Sequence, residues 1–195
     1  IFDKIVFPKI DLRQMILEGN IAAGILDAGN MIATAAVIFG VFSWSGDDWL
    51  TSLSLVIAMF IVTQLLLVLA SRYRVALFAK RNDGRLFRDA INEGNGALAI
   101  RFAGFQIGAA LAISTAGKLV IFQDGSDALM SVAAWTIVAA VLLIAVILLT
   151  ALTEKVILYG VPVEREVDRE ANYGVAAVEA GAYIGLGLLL VSLLG

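Results

Sequence analysis

Three stretches decide the fold: LEGNIAAGILDAGNMIA over residues 17–33, NEGNGALAIRFAGFQIG over 92–108 and REANYGVAAVEAGAYIG over 169–185. Aligned, they agree in five columns: Glu18, Glu93 and Glu170; Asn20, Asn95 and Asn172; Ala28, Ala103 and Ala180; Gly29, Gly104 and Gly181; Ile32, Ile107 and Ile184. The copies are offset by 75 and then 77 residues. A fixed period of this length marks a repeated supersecondary unit.

Each copy opens an apolar run, and a second run follows the first two copies. The five runs cover about Asn20–Phe42, Trp49–Ala70, Gly94–Gly117, Leu129–Leu152 and Tyr173–Leu194. Each is long enough to cross a hydrocarbon core of about 30 Å at about 1.5 Å per residue. The unit is therefore helix-linker-helix. The predicted fold is an all-α, polytopic helical membrane protein with five spans in pseudo-repeated hairpins. It forms one transmembrane domain over 1–195, with repeat units at 1–42 (partial), 43–117 and 118–195. Composition agrees: 61% of residues are hydrophobic, 16% are charged and the mean hydropathy is +0.93. Soluble domains carry about 25% charged residues.

The segment DKIVFPKIDLRQMILE before Glu18 resembles EKVILYGVPVEREVDRE before Glu170, and the latter follows a membrane helix. The repeat thus predicts a further helix upstream of Ile1. A full-length parent would have three hairpins and six spans.

The connections alternate. Ser43–Asp48 and Lys118–Asp127 are short and acidic, whereas 1–18, 72–93 and 154–170 are long, charged and amphipathic. Twelve of the fourteen Lys and Arg residues lie in the long stretches. The positive-inside rule places those stretches in the cytoplasm of a multi-pass inner (plasma) membrane protein, with the C-terminus periplasmic or extracellular. Trp44 and Trp49 suit an aromatic belt on the outer side. Short interfacial helices are expected in the linkers, as at Leu86–Ile91, with a turn at Asn82-Asp83-Gly84. Besides the lipid bilayer, the expected partners are further copies of the chain or other subunits of a membrane complex. A cytoplasmic partner is conceivable at linkers 72–92 and 154–170. Nucleic acid is not expected.

Cysteine and histidine are both absent. That removes thiol nucleophiles, disulfides, imidazole bases and the common zinc sites. No phosphate-binding or serine-elbow motif appears. The reading is no enzyme, no catalytic residue, no cofactor and no metal.

Three ionisable residues lie inside spans: Asp27, Arg101 and Glu179, at nine, eight and nine residues after the repeat glutamates. That is about 12–14 Å along each helix. A charge there costs at least about 2.5–3.5 kcal/mol, so it should face protein or a water-filled cavity. Helical spacing puts Asn20, Asp27, Asn30 and Thr34 on one stripe, and Asn172, Glu179 and Tyr183 on another. Arg101 can neutralise one of the two acids and fix packing. Alternatively, the group forms a polar pathway whose leftover acid holds a proton or cation. Asp27, Arg101, Glu179, Asn30, Thr34 and Tyr183 are the candidate cluster.

The pairs Gly29/Ala33, Gly104/Gly108 and Gly181/Gly185 have small-x-x-x-small spacing, which brings helix backbones together within or between subunits. Glu18, Asn20, Glu93, Asn95, Glu170 and Asn172 sit at the helix starts. Capping is their simplest role, and a polar ring at the cytoplasmic mouth is the alternative.

The E-x-N start followed by A-G-x-x-I resembles the bacterial inner-membrane family known as domain of unknown function 350. The resemblance spans nearly the whole chain. It implies hairpin repeats and no established activity; some relatives occur beside envelope-stress and membrane-remodelling proteins. The functional expectation is an oligomeric channel or transporter-like subunit for an ion, proton or small solute. The alternative is a non-transporting membrane scaffold or partner-binding subunit in envelope stress or membrane maintenance.

Overall fold

A computed structural model describes residues 11–42, 49–120 and 128–194. Among the described residues the chain is helical with no strand. In chain order the helices are α1 (Leu12–Leu17), α2 (Ile21–Phe42), α3 (Trp49–Arg81), α4 (Phe87–Asn92), α5 (Gly96–Ser114), α6 (Ala116–Leu119), α7 (Ala128–Ile157), α8 (Val163–Asp168) and α9 (Tyr173–Leu194). Five of them are long and apolar enough to cross a membrane. The protein is a polytopic helical membrane protein. The tryptophan belt and both short loops fall largely outside the described residues.

The three motif helices α2, α5 and α9 pack against one another, with α5 in the middle. Fifteen of the nineteen residues of α5 are buried. The other four, Ile100, Ile107, Leu111 and Ser114, share one narrow stripe. Small residues make this burial possible. A Cβ on Gly29 of α2 would fall 2.8 Å from the Cα of Ala103, and one on Gly104 would overlap the backbone of Ala180 in α9. A Cβ on Gly108 would overlap the Tyr183 carbonyl, and one on Gly40 would overlap the side chain of Ser114. Lipid tails are as apolar as leucine, so close backbone contact, rather than apolar burial, holds such helices together.

The return helices α3 and α7 lie together on the other side of α5. α3 touches α2 and α5, α7 touches α5 and α9, and the two touch each other. Both overrun their expected ends. Their predicted ends at Ala70 and Leu152 are corrected to Arg81 and Ile157. The reason is a buried stripe that keeps helical period past the apolar run. On α3 it is Leu55, Met59, Thr63, Leu67 and Ser71, then the largely buried Arg74, Phe78, and Asn82 just beyond the helix. The stripe on the opposite side, Leu53, Ile57, Ile61, Leu65 and Leu69, is exposed. In water this would be a liability, but in a bilayer it is the lipid-facing surface.

The linkers carry the expected short helices α4 and α8 and the turn at Asn82-Asp83-Gly84, where Asp83 and Gly84 take φ of 55° and 84°. α1 and α4 end in Glu18 and Glu93, each followed by a glycine with φ near +85° (85° at Gly19, 84° at Gly94). In the third copy Ala171 holds the same left-handed position at φ 52°.

Candidate functional site

The repeat asparagines perform two tasks. Each side-chain oxygen caps the helix it opens: Asn20 accepts from the Ala23 N–H, Asn95 from Leu98 and Asn172 from Gly174 and Val175. The amides of the first two reach forward to the next repeat. Asn20 donates to the Ile91 carbonyl at 2.9 Å, and Asn95 to the carbonyls of Val167 and Asp168 at 3.1 and 3.3 Å. Asn172 donates instead to Glu166 in its own linker, at 2.8 Å. The repeat glutamates stay near the surface: Glu18 accepts from Gln14, Glu93 pairs with Arg85 and Glu170 with Arg165.

The charged centre lies on the face of α5 that meets α3, α7 and the linkers. Arg101 Nε is 2.6 Å from Glu179 Oε2, and its NH1 is 3.1 Å from Asp168 Oδ1. Arg74 reaches the other Glu179 oxygen at 3.2 Å and donates to the Tyr183 hydroxyl at 2.8 Å. The Arg74 guanidinium also sits 4.8 Å from the centre of the Phe105 ring. Asn82 donates to Asp168 at 2.9 Å. Glu179, Asp168 and Arg101 are buried. Burial pushes the Asp168 carboxyl above its ordinary range, against the pull of Arg101. Two arginines thus face two buried acids, so the core of the cluster is neutral. Buried charges need such pairing, because desolvating an unpaired ion costs several kcal/mol.

Of the residues singled out from sequence, Arg101, Glu179 and Tyr183 come together. Asp27 does not join them. It is half-buried on α2, and among the described residues no ion pair ties it to Arg101. Asn30 and Thr34 are likewise half-buried on α2. Arg101 faces α3 and α9, and its acids are Glu179 and Asp168, the second of them from a linker. Sequence reasoning missed Arg74, Asp168, Asn82 and Glu154. Arg74 was read as a linker charge, yet its spacing of three and four residues from Ser71 and Phe78 kept it on the buried stripe. Glu154 follows Thr150 on α7 by four residues in the same way.

Gly29, Ala33, Gly104 and Gly108 lie at helix contacts, as their spacing implied. Gly181 and Gly185 do not: among the described residues nothing lies within 4 Å of a Cβ built on either.

A cleft of about 680 Å³ opens between α3 and α7 on the linker side. Arg101, Glu179 and Tyr183 line it together with Arg74, Glu154 and Lys155. Beyond the cluster, Phe105, Ala109, Ile113, Trp135 and Ala139 belong to a continuous apolar core. Glu154 is the acid over and above the balanced set of two arginines, Glu179 and Asp168, although Lys155 stands beside it. Among the described residues no group of three acids is placed to hold a metal ion.

Five apolar helices of membrane-crossing length packed around a paired polar centre mark the chain as an integral membrane protein. The profile of the Domain of Unknown Function (DUF350) family matches this chain twice, over residues 1–89 and 48–194, and the chain belongs to that family. The search of curated proteins and the search of solved structures returned no match.

Proposed function

We propose that the protein is a channel or transporter-like subunit of the inner membrane that admits a proton or small ion from the cytoplasmic side into the cleft between α3 and α7. The observation that carries this reading is the cleft itself, which leads from the linker side to Glu154, Glu179 and Arg101. Intramembrane ionisable residues beside a solvent-sized space are the usual mark of an ion pathway. Glu154 is the acceptor in this reading, and Glu179 stands behind it, paired with Arg74 and Arg101. The cytoplasmic placement is supported by the twelve Lys and Arg residues that fall in the stretches 1–18, 72–93 and 154–170. Because the chain has no cysteine, single-cysteine labelling at Asp83→Cys in intact and opened cells reads the orientation directly.

The test is flux in proteoliposomes. Wild type is expected to pass protons or a monovalent cation, Glu154→Gln to lose most of that flux, and Asp27→Asn to keep it. No flux in wild type under an imposed gradient sinks the reading. A non-transporting scaffold is the second reading. It is favoured by the two ion pairs of Arg101, which tie α5 to α8 and α9 as a structural lock. In that case the Glu154 variant would change nothing, and protein partners would be recovered on the linkers.

A further inference from the structure

Within the chain, each motif helix uses its alanine-glycine pair directionally. Gly29 lies against Ala103 of the next motif helix, and Gly104 lies against Ala180 of the one after. The third glycine, Gly181, is exposed with nothing within 4 Å of its Cβ position. The first alanine, Ala28, is exposed too. Among the described residues, two halves of such a contact therefore stand unused, a glycine on α9 and an alanine on α2. The asparagines end the same way. Asn20 and Asn95 donate forward to linker carbonyls, but Asn172 turns back to Glu166. The linker carbonyl that corresponds to that of Ile91 is the one of Ile16, an exposed residue whose carbonyl accepts from the Gly19 N–H.

We propose that α9 of one copy packs on α2 of a second copy, Gly181 against Ala28, and continues the same helix series from chain to chain. Continuity fixes the occupant. The face offered by α9 is the one that α2 and α5 each use to hold the next motif helix, and the face offered by α2 is the one by which α5 and α9 are held. Such a contact is head-to-tail, so it either closes into a ring or runs on as a filament. The series bends. On α5, Ala103 meets α2 and Gly104 meets α9, and successive residues point about 100° apart. The stripe of Ile100, Ile107 and Leu111 then lies on the inside of the bend. A corner of about 100° returns on itself after about four or five helices, and one of about 120° after about six. Six motif helices are two sets of the three described here, with the repeated isoleucine column on the inner wall.

This inference rests on the helix series alone. The charged cleft lies on the opposite side of α5, so failure of one reading leaves the other standing. The absence of cysteine makes the test direct. Chains carrying only Ala28→Cys and chains carrying only Gly181→Cys are expressed together in membranes and oxidised. The expected product is a disulfide-linked dimer of unlike variants, at least about tenfold above either variant alone. Gly181→Leu is expected to weaken self-association about tenfold or more, while the melting temperature of the monomer in detergent is unchanged, since the position is open in the single chain. The proposal is overturned if Gly181→Cys links mainly to itself or to another protein. It is also overturned if Gly181→Leu associates as well as wild type.

Discussion

Gly29 packs so closely on Ala103 that a Cβ added to the glycine would fall 2.5 Å from the Ala103 methyl and 2.8 Å from its Cα. The same relationship recurs at Gly104 and Ala180. Adding even a methyl group at either glycine forces the helices apart. Gly104→Ala is expected to cost about 1–3 kcal/mol, the range for overpacking a tight site. Gly24→Ala is expected to be near neutral, since nothing lies within 4 Å of its Cβ position. Thermal or denaturant unfolding in detergent micelles distinguishes the two.

Arg101 holds two acids from two elements, Glu179 of α9 and Asp168 of α8. Replacing it with Met leaves an excess of buried negative charge and is expected to destabilise the fold by about 3–5 kcal/mol. Arg101→Met combined with Glu179→Gln is expected to cost less than the sum of the single changes. Additive costs in this double-mutant cycle would show that the two residues do not interact.

The Asn95 side chain can be divided by substitution. Asn95→Asp keeps the oxygen that caps α5 and removes the amide that reaches the Val167 and Asp168 carbonyls. Asn95→Ala removes both. The aspartate variant is expected to lose about 1 kcal/mol and the alanine variant about 2 kcal/mol, judged from typical values for a hydrogen bond and a helix cap. Proteolysis at the linker before Asn172 should quicken in both variants if the forward bond holds α8 in place.

Ala171 occupies a left-handed conformation that glycine fills in the other two repeats. Left-handed backbone costs a residue with a Cβ about 1 kcal/mol or more. Ala171→Gly is accordingly expected to stabilise the protein by about 0.5–1 kcal/mol, and Gly94→Ala to destabilise it by a similar amount. A fall in melting temperature for Ala171→Gly would contradict the strain argument.

The hairpin architecture was legible in sequence because period and hydropathy are local signals. The columns at Gly29 and Gly104 announced close helix contacts, and the asparagines announced caps. The ends of α3 and α7 were not legible from hydropathy, since a membrane helix that leaves the lipid turns polar on its outside while its inner stripe continues. For the same reason Arg74 passed for a surface charge. Asp168 was out of reach for another reason. Its link to Arg101 spans 67 residues, and nothing in the spacing of α8 marks one of its acids as buried. The grouping of Asp27 with Arg101 assumed that equal depth means a shared face. α2 and α5 approach closely at Gly29 and Ala103, and the acids that Arg101 pairs with lie on α8 and α9 instead.

The burial of α5 also bears on how the chain is made. It is the least apolar of the five spans and the one with the least surface toward lipid. Its arginine is neutralised by Asp168 and Glu179, which the ribosome adds 67 and 78 residues later. During synthesis α5 is therefore a poor substrate for independent partitioning into the bilayer, while α3 and α7 partition readily. A chain stopped after Leu158 is expected to leave α5 accessible to membrane-impermeant labels, and completion through α9 to protect it. Protection of that kind would make membrane integration of the central helix a late event that depends on the last hairpin.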